Sequence, residues 1–221
     1  RKTLKEQEMK TLKSIVIIAC GIAALAFTSC NSDSDTQKGL TAQEISYCYN
    51  TVKGRYTGDL IYAAKNENNP ADVSDTIKSV RSDIINDSTM ILYNFPARLL
   101  APNVKNGQVR GALLEADWKD LTCRTVYIGT NPVEFLVNPL TLTFNVPYNG
   151  ETEIHKIQVV FYTNNLSSWA QYNEKDAQLK FIIYEGAIYL DGRLLETLDT
   201  ATAFYFESTS KVSADIAFGE K

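Results

Sequence analysis

Leu140-Thr141-Leu142-Thr143-Phe144-Asn145-Val146, followed by Asn149-Gly150 and the apolar-rich run 154–162, decides the fold class. Strict alternation puts Leu140, Leu142, Phe144 and Val146 on one side of an extended chain, because successive side chains of a strand point to opposite faces. Asn-Gly is the preferred dipeptide of two-residue type I′ turns, where both central residues need positive φ. With Asn149 and Gly150 central, the ladder sets Tyr148 opposite Glu151, Phe144 opposite His155, Leu142 opposite Ile157 and Leu140 opposite Val159. The reading is an antiparallel hairpin with one buried face.

The same pattern recurs on both sides. Asp191-Gly192 separates strand-like runs at 179–190 and 193–198, and Asn86-Asp87 separates 76–85 from 88–95. A run at 56–64 leads into a polar loop at 65–75, and two more runs, 202–207 and 212–218, complete the chain. Short strands without a strand-helix-strand rhythm predict a mainly β fold (α+β), an antiparallel β-sandwich or partly open barrel with an N-terminal capping helix. That helix has a capping-box start, Thr41 with Glu44 three residues on, and Leu40 and Ile45 occupy the staple positions. Ile45, Cys48, Tyr49 and Val52 then form one apolar stripe, and Gly54 stands where a left-handed stop is expected. The stretch 96–118 is broken by Pro102 and Gly107, with Leu113, Leu114 and Trp118 marking a short helix. Tyr56-Thr57-Gly58-Asp59-Leu60-Ile61-Tyr62 and Tyr184-Glu185-Gly186-Ala187-Ile188-Tyr189-Leu190 are alike enough to suggest a duplicated hairpin, with coincidence in a Tyr-rich chain as the alternative.

The N-terminal segment has a different composition. Lys10 and Lys13 precede the apolar run 15–27, which closes with Phe27-Thr28-Ser29-Cys30. A basic start, a short apolar stretch and small residues at a cut describe a secretory signal peptide. Such a run is too short to span a ~30 Å hydrocarbon core. Met9 is the expected translation start, with 1–8 lying upstream of it. The expected organisation is a signal over 1–29, a flexible tether over 30–39 and a single β-rich domain over 40–221. Small residues placed directly before Cys30 resemble the lipobox of bacterial lipoproteins, whose cysteine receives a diacylglycerol. That resemblance implies lipidation at Cys30, a membrane partner held through lipid, and an outer-membrane location facing either the cell surface or the periplasm. Asp33 and Asp35, just after it, resemble the surface-export signal of Bacteroidetes-type lipoproteins. The same two acids with Gln37 and Glu44 stand at EF-hand spacing, but Lys38 occupies the place where the calcium loop needs glycine.

Charge and cysteine usage narrow the function classes. The chain carries 22 Lys/Arg and 26 Asp/Glu. Removal of 1–29 leaves 17 and 24, a net charge of −7. An acidic exported domain lacks the clustered cations that phosphate neutralisation requires, so nucleic acid is not an expected partner. After processing, Cys48 and Cys123 are the remaining unlipidated cysteines. In an oxidising compartment they are candidates for a disulfide, the alternative being two buried thiols packed as small apolar residues.

Recognisable chemistry is scarce. His155 is the one histidine, which excludes multi-histidine zinc sites and leaves a single base for any Ser-His-Asp arrangement. The hairpin register makes it a hydrogen-bonded structural residue. No nucleophile elbow, phosphate loop or Cys-x-x-Cys pair occurs, so no catalytic residue, metal or cofactor is assigned. Trp169 and Tyr172 lie in a predicted loop, 163–176, rich in Asn, Ser and Gln. Together they offer either a ligand-binding platform for a sugar or peptide or a plug for one end of the sheet packing. Asp75-Thr76-Ile77, Asp87-Ser88-Thr89 and Asp199-Thr200-Ala201 resemble the O-glycosylation acceptor of exported proteins of the same bacterial group, which makes Thr76, Ser88 and Thr200 candidates.

Taken together, the lipobox, the acidic tether, Gly39-Leu40-Thr41-Ala42-Gln43-Glu44 and Gly54-Arg55-Tyr56-Thr57-Gly58 resemble an uncharacterised family of Bacteroides-type lipoproteins, a domain of unknown function. That family brings no activity or binding residues to carry over. A helix leading into Gly54-x-Tyr56 is also similar to the lipocalin start, although tyrosine replaces its tryptophan and the later lipocalin motifs are missing. The expected function is an exported binding or structural lipoprotein with a glycan, peptide or envelope-protein partner. A hydrolase with an unfamiliar pair of carboxylates is the alternative.

Overall fold

The computed structural model describes residues 39–64, 73–148, 151–164, 168–198 and 202–212. The expected signal, most of the expected tether, Cys30, the acids at 33 and 35, and Thr200 lie outside these residues.

Helix α1, Ala42–Val52, starts on the expected capping box, in which Thr41 accepts from the Glu44 N–H and the Glu44 carboxylate accepts from the Thr41 N–H at 2.7 Å. Gly54, at φ 138°, turns the chain out of the helix into β1, Gly54–Ala64. There follow β2 Val73–Asn86, β3 Thr89–Phe95, a 3-10 turn Ala97–Leu100, α2 Gly107–Glu115, β4 Lys119–Thr130 and β5 Val133–Pro139. The chain continues through β6 Leu142–Pro147, β7 Ile154–Phe161, β8 Trp169–Asn173, β9 Gln178–Leu190, β10 Arg193–Thr197 and β11 Ala203–Val212.

The mainly antiparallel β fold takes the barrel form and is closed. Strands run in the order β1-β2-β3-β4-β5-β8-β9-β11, and β11 pairs back onto β1, which makes eight staves. Closure removes the unpaired edges that an open sheet would leave. An interior of this size is just wide enough for side chains to fill. Tyr56, Leu60, Met90, Leu92, Phe95, Phe135, Phe181, Phe204 and Phe206 fill it, all fully buried. Phe181 stacks on Phe206 at 4.8 Å, and Phe95 meets Phe204 edge-on at 5.1 Å.

Both ends are plugged. Strand β4 begins beside Phe95, where the 3-10 turn and α2 bring Leu99, Leu100, Val109 and Leu113 over the opening. It finishes near Gly129, where α1 lies across the other end with Cys48 and Val52 buried beneath it. The Tyr56 hydroxyl donates to the Val52 carbonyl and fastens that lid. Strand β9 is long enough to serve two sheets: its first half pairs with β8 and β11, and its second half with β7 and β10. The β6–β7 hairpin, inserted between two staves, joins β9 and β10 in a second sheet whose Phe144, Ile157, Val159 and Ile188 continue the barrel core without a break.

Several local expectations change. The ladder of the deciding hairpin is shifted by two residues, pairing Leu142 with Val159, Phe144 with Ile157 and Val146 with His155. The Tyr148 carbonyl still accepts from the Glu151 N–H at 3.0 Å, but Thr152 and Glu153 lengthen the connection. A shift of two keeps every side chain on its face. It also exchanges a Phe144–His155 pair for Phe144–Ile157, so no imidazole enters the core. The turn after β2 is Asp87-Ser88, one residue later than predicted, with the Asn86 side chain accepting from the Ser88 N–H at 3.0 Å. Asp191 and Gly192, at φ 47° and 80°, do form the expected two-residue turn. The final two runs are one strand to Val212, with 213–218 outside the described residues. Strands β4 and β5, joined at Asn131-Pro132, had no strong alternation to announce them. The two similar heptapeptides occupy unlike places, β1 in the barrel and the second half of β9. Gly58 and Gly186 nevertheless share a job, since each allows a close backbone approach at a shift of register.

Candidate functional site

Trp169 and Tyr172 belong to a stave, β8, not to a loop. Three residues apart on a strand, they point to opposite faces. Trp169 lies on the outside with Ile61, Ile182 and Tyr205, whereas Tyr172 points into the barrel against Tyr56, with ring centroids 6.3 Å apart. They therefore cannot form one platform. Cys48 and Cys123 are two separate buried thiols, the first bonded to the Gly129 carbonyl at 3.5 Å and the second facing the Leu121 carbonyl. Burial raises the pKa of both. Ser88 is exposed in its turn, its hydroxyl donating to Asn86 at 3.0 Å, and Thr76 is half-buried on β2. The candidates that the sequence named are not brought together.

What the structure assembles instead is a groove of roughly 370 Å³ on the outer wall near the α1 end, lined by Asp59, Asp176, Gln178, Glu207, Ser208 and Thr209 among others. Its floor is a bulge. At Gly58 the β1–β11 register slips, and a Cβ there would lie 2.3 Å from the Glu207 carbonyl oxygen, so only glycine lets the strands approach this closely. The slip sets Asp59 directly opposite Glu207. Each acid is held from outside by a lysine of the next strand: Lys78 reaches Asp59 at 2.6 Å and Lys180 reaches Glu207 at 2.7 Å. Gln178 donates to Glu207 at 3.1 Å, and the buried Ser208 hydroxyl accepts from the Leu179 N–H at 2.8 Å. Asp176 accepts from Asn173 at 2.7 Å on the groove's other bank.

This arrangement presents carboxylates, hydroxyls and an amide to a polar guest, with lysines at its margin. Such a surface suits hydrogen bonding to hydroxyls or amines far better than apolar contact. Among the described residues, no group of three or more His, Cys, Asp or Glu side chains is placed to hold a metal ion, and no helix is long and apolar enough to cross a membrane. Sequence reasoning missed the groove because three distant segments build it, each with an ordinary outward-facing polar residue. The glycine of Tyr56-Thr57-Gly58 was the one available hint of a bulge.

His155 sits elsewhere, at the tip of the second sheet. It stacks on Tyr148 at 4.1 Å and shares a hydrogen bond with Asp191 at 3.0 Å, while Asp191 also accepts from the Lys156 N–H at 2.8 Å. That bond to Asp191 raises the imidazole's pKa and lowers the carboxyl's. The arrangement staples two turns together.

Comparison with known proteins adds one match. The profile of a family described as a domain of unknown function (DUF4840) covers residues 51–190, which runs from the end of α1 to the end of β9. No curated protein and no solved structure matches the chain.

Proposed function

Since this chain belongs to the DUF4840 family, a domain of unknown function, we propose its role from its own geometry: an exported lipoprotein, anchored at the outer membrane through lipid on Cys30, that binds a glycan, peptide or envelope partner on the outside of its barrel. The observation that carries the second half is the filled and doubly plugged interior. An eight-stranded barrel either packs its lumen or encloses one small ligand, and this one packs it. Contact with a partner then falls to the outer wall, where the groove at Asp59 and Glu207 supplies donors and acceptors. The anchor rests on the lipobox-like order before Cys30. Acyl chains contribute about 0.8 kcal/mol per buried CH₂, and two chains hold where one does not.

The test has two arms. Cys30→Ala is expected to release the protein from membranes; a variant that still fractionates with them as the parent does removes the anchor. On glycan and peptide arrays, the released protein is expected to bind ligands that Asp59→Ala and Glu207→Ala lose. Ligands held equally by both variants would remove the groove.

A second reading rests on the same two acids. Glycoside hydrolysis needs a pair of carboxyl groups about 5 to 10 Å apart, and cross-strand neighbours lie within that reach. Each of the two carboxylates is ion-paired, Asp59 with Lys78 and Glu207 with Lys180. Cleavage of an array glycan, lost in Asp59→Asn, would favour this reading over simple binding.

A further inference from the structure

Strand β9 leaves the barrel and enters the second sheet at Tyr184-Glu185-Gly186. Three backbone hydrogen bonds fasten this crossing: Tyr162 N–H to the Tyr184 carbonyl at 2.9 Å, Glu185 N–H to the Thr202 carbonyl at 3.1 Å, and Leu198 N–H to the Gly186 carbonyl at 2.9 Å. The packing is close, for a Cβ on Gly186 would lie 3.3 Å from the Val160 carbonyl oxygen. Into this joint projects the side chain of Glu185, which is 0 % exposed. Among the described residues, neither of its carboxyl oxygens meets a hydrogen-bond donor in bonding geometry.

The surroundings give it little help. The Thr202 hydroxyl is the polar group beside it; its oxygen accepts from the Asn103 amide, and its own O–H is, among the described residues, the one donor close enough to favour the charged form. From β7 it faces Phe161, which is apolar. From β10 it faces the charge of Glu196, itself held by the N–H groups of Lys105 and Asn106 at the start of α2. An unpaired carboxylate in such a place costs far more than a neutral acid.

We propose that Glu185 is a proton-held latch: as a neutral acid it lets the second sheet pack on the end of the barrel, and as a carboxylate it drives that joint open. Burial pushes its pKa up to about 8, the charge of Glu196 adds to the rise, and the nearness of Thr202 opposes it. Once the joint opens, the group returns to its ordinary value near 4.5. Between these values the closed state holds a proton that the open state has lost. Closure is therefore favoured fully below the ordinary value and weakens about tenfold per pH unit as pH rises toward the folded one. Below that window, and above it, the population of open joint stops changing.

The test uses the full chain. The carboxyl carbon of Glu185, followed by NMR, is expected to titrate near 8. Amides of Tyr162, Glu185 and Leu198, corrected for intrinsic exchange, are expected to exchange about tenfold faster per pH unit across the window. Amides of the β3–β4 ladder are expected not to follow, and Glu185→Gln is expected to flatten the response. Titration in the ordinary carboxyl range would overturn the latch, even if the variant failed to fold. So would a Glu185→Gln slope equal to the parent's, or joint and barrel amides accelerating together.

Discussion

The Lys211 ammonium donates to the Tyr172 hydroxyl at 3.0 Å while lying 4.5 Å from the centre of the same ring. A second bond runs to the Thr51 carbonyl at 2.9 Å, at the C-terminal end of α1 where a positive charge is favoured. One side chain thus ties the last stave, an interior tyrosine and the helical lid. Lys211→Met keeps the stem and loses both bonds, so a loss of about 1 to 3 kcal/mol is expected, of the size that charge-assisted hydrogen bonds contribute. Urea unfolding measures it, and an unchanged midpoint would remove Lys211 from the account of how the lid is held.

Trp169 is only 7 % exposed although it lies on the outer wall, because Ile61, Ile182 and Tyr205 surround it. Trp169→Ala is expected to cost about 3 to 5 kcal/mol, as truncation of a large buried aromatic does. Near-wild-type melting would mean that this cluster contributes contact area without stability.

Gly58→Ala introduces a methyl group 2.3 Å from a backbone oxygen that cannot rotate away. The expected cost is about 1 to 3 kcal/mol from forced backbone movement. The same change should weaken any array ligand that Asp59→Ala also weakens, because the bulge sets Asp59 against Glu207. Loss of stability with fully retained binding would separate the groove from the bulge.

His155 gives a second pH response. An imidazole that binds its proton more tightly in the folded state stabilises it fully below the unfolded value of about 6.5. It loses that contribution as pH rises through the raised folded value. His155→Gln should therefore lower the melting temperature at pH 5.5 and leave it nearly unchanged at pH 9. An equal drop at both pH values would show that packing on Tyr148, and not charge, is what His155 supplies.

The parts of the fold written in short-range chemistry were legible. Thr41 and Glu44 announce α1 by their spacing, and Asp191-Gly192 announces its turn because few residues accept positive φ twice in succession. Alternation assigned Leu142 and Phe144 to the buried face correctly even though the register was off by two, since parity survives an even shift; Leu140 precedes the strand and is exposed, and Val146 is half-buried. Strand β8 was hidden because five residues of mixed character inside a polar stretch carry too little periodicity. Barrel closure was not legible at all: it depends on β11 finding β1, which no local pattern encodes. The groove and Glu185 were out of reach for the same reason. Glu185 looks like any strand acid until the parity of β9 and the arrival of β7 enclose it.

Closure between the first and last staves also constrains the order of events during synthesis. Lys211 and Thr51, joined by a hydrogen bond, are 160 residues apart in the chain. Contacts of such long sequence separation form slowly, after the local hairpins. Until β11 has emerged, β1 and β9 each lack a neighbour, and the growing chain is an incomplete sheet with two sticky margins. A partner that shields those margins, or export that outpaces hairpin formation, would serve this polypeptide before its fold can protect itself.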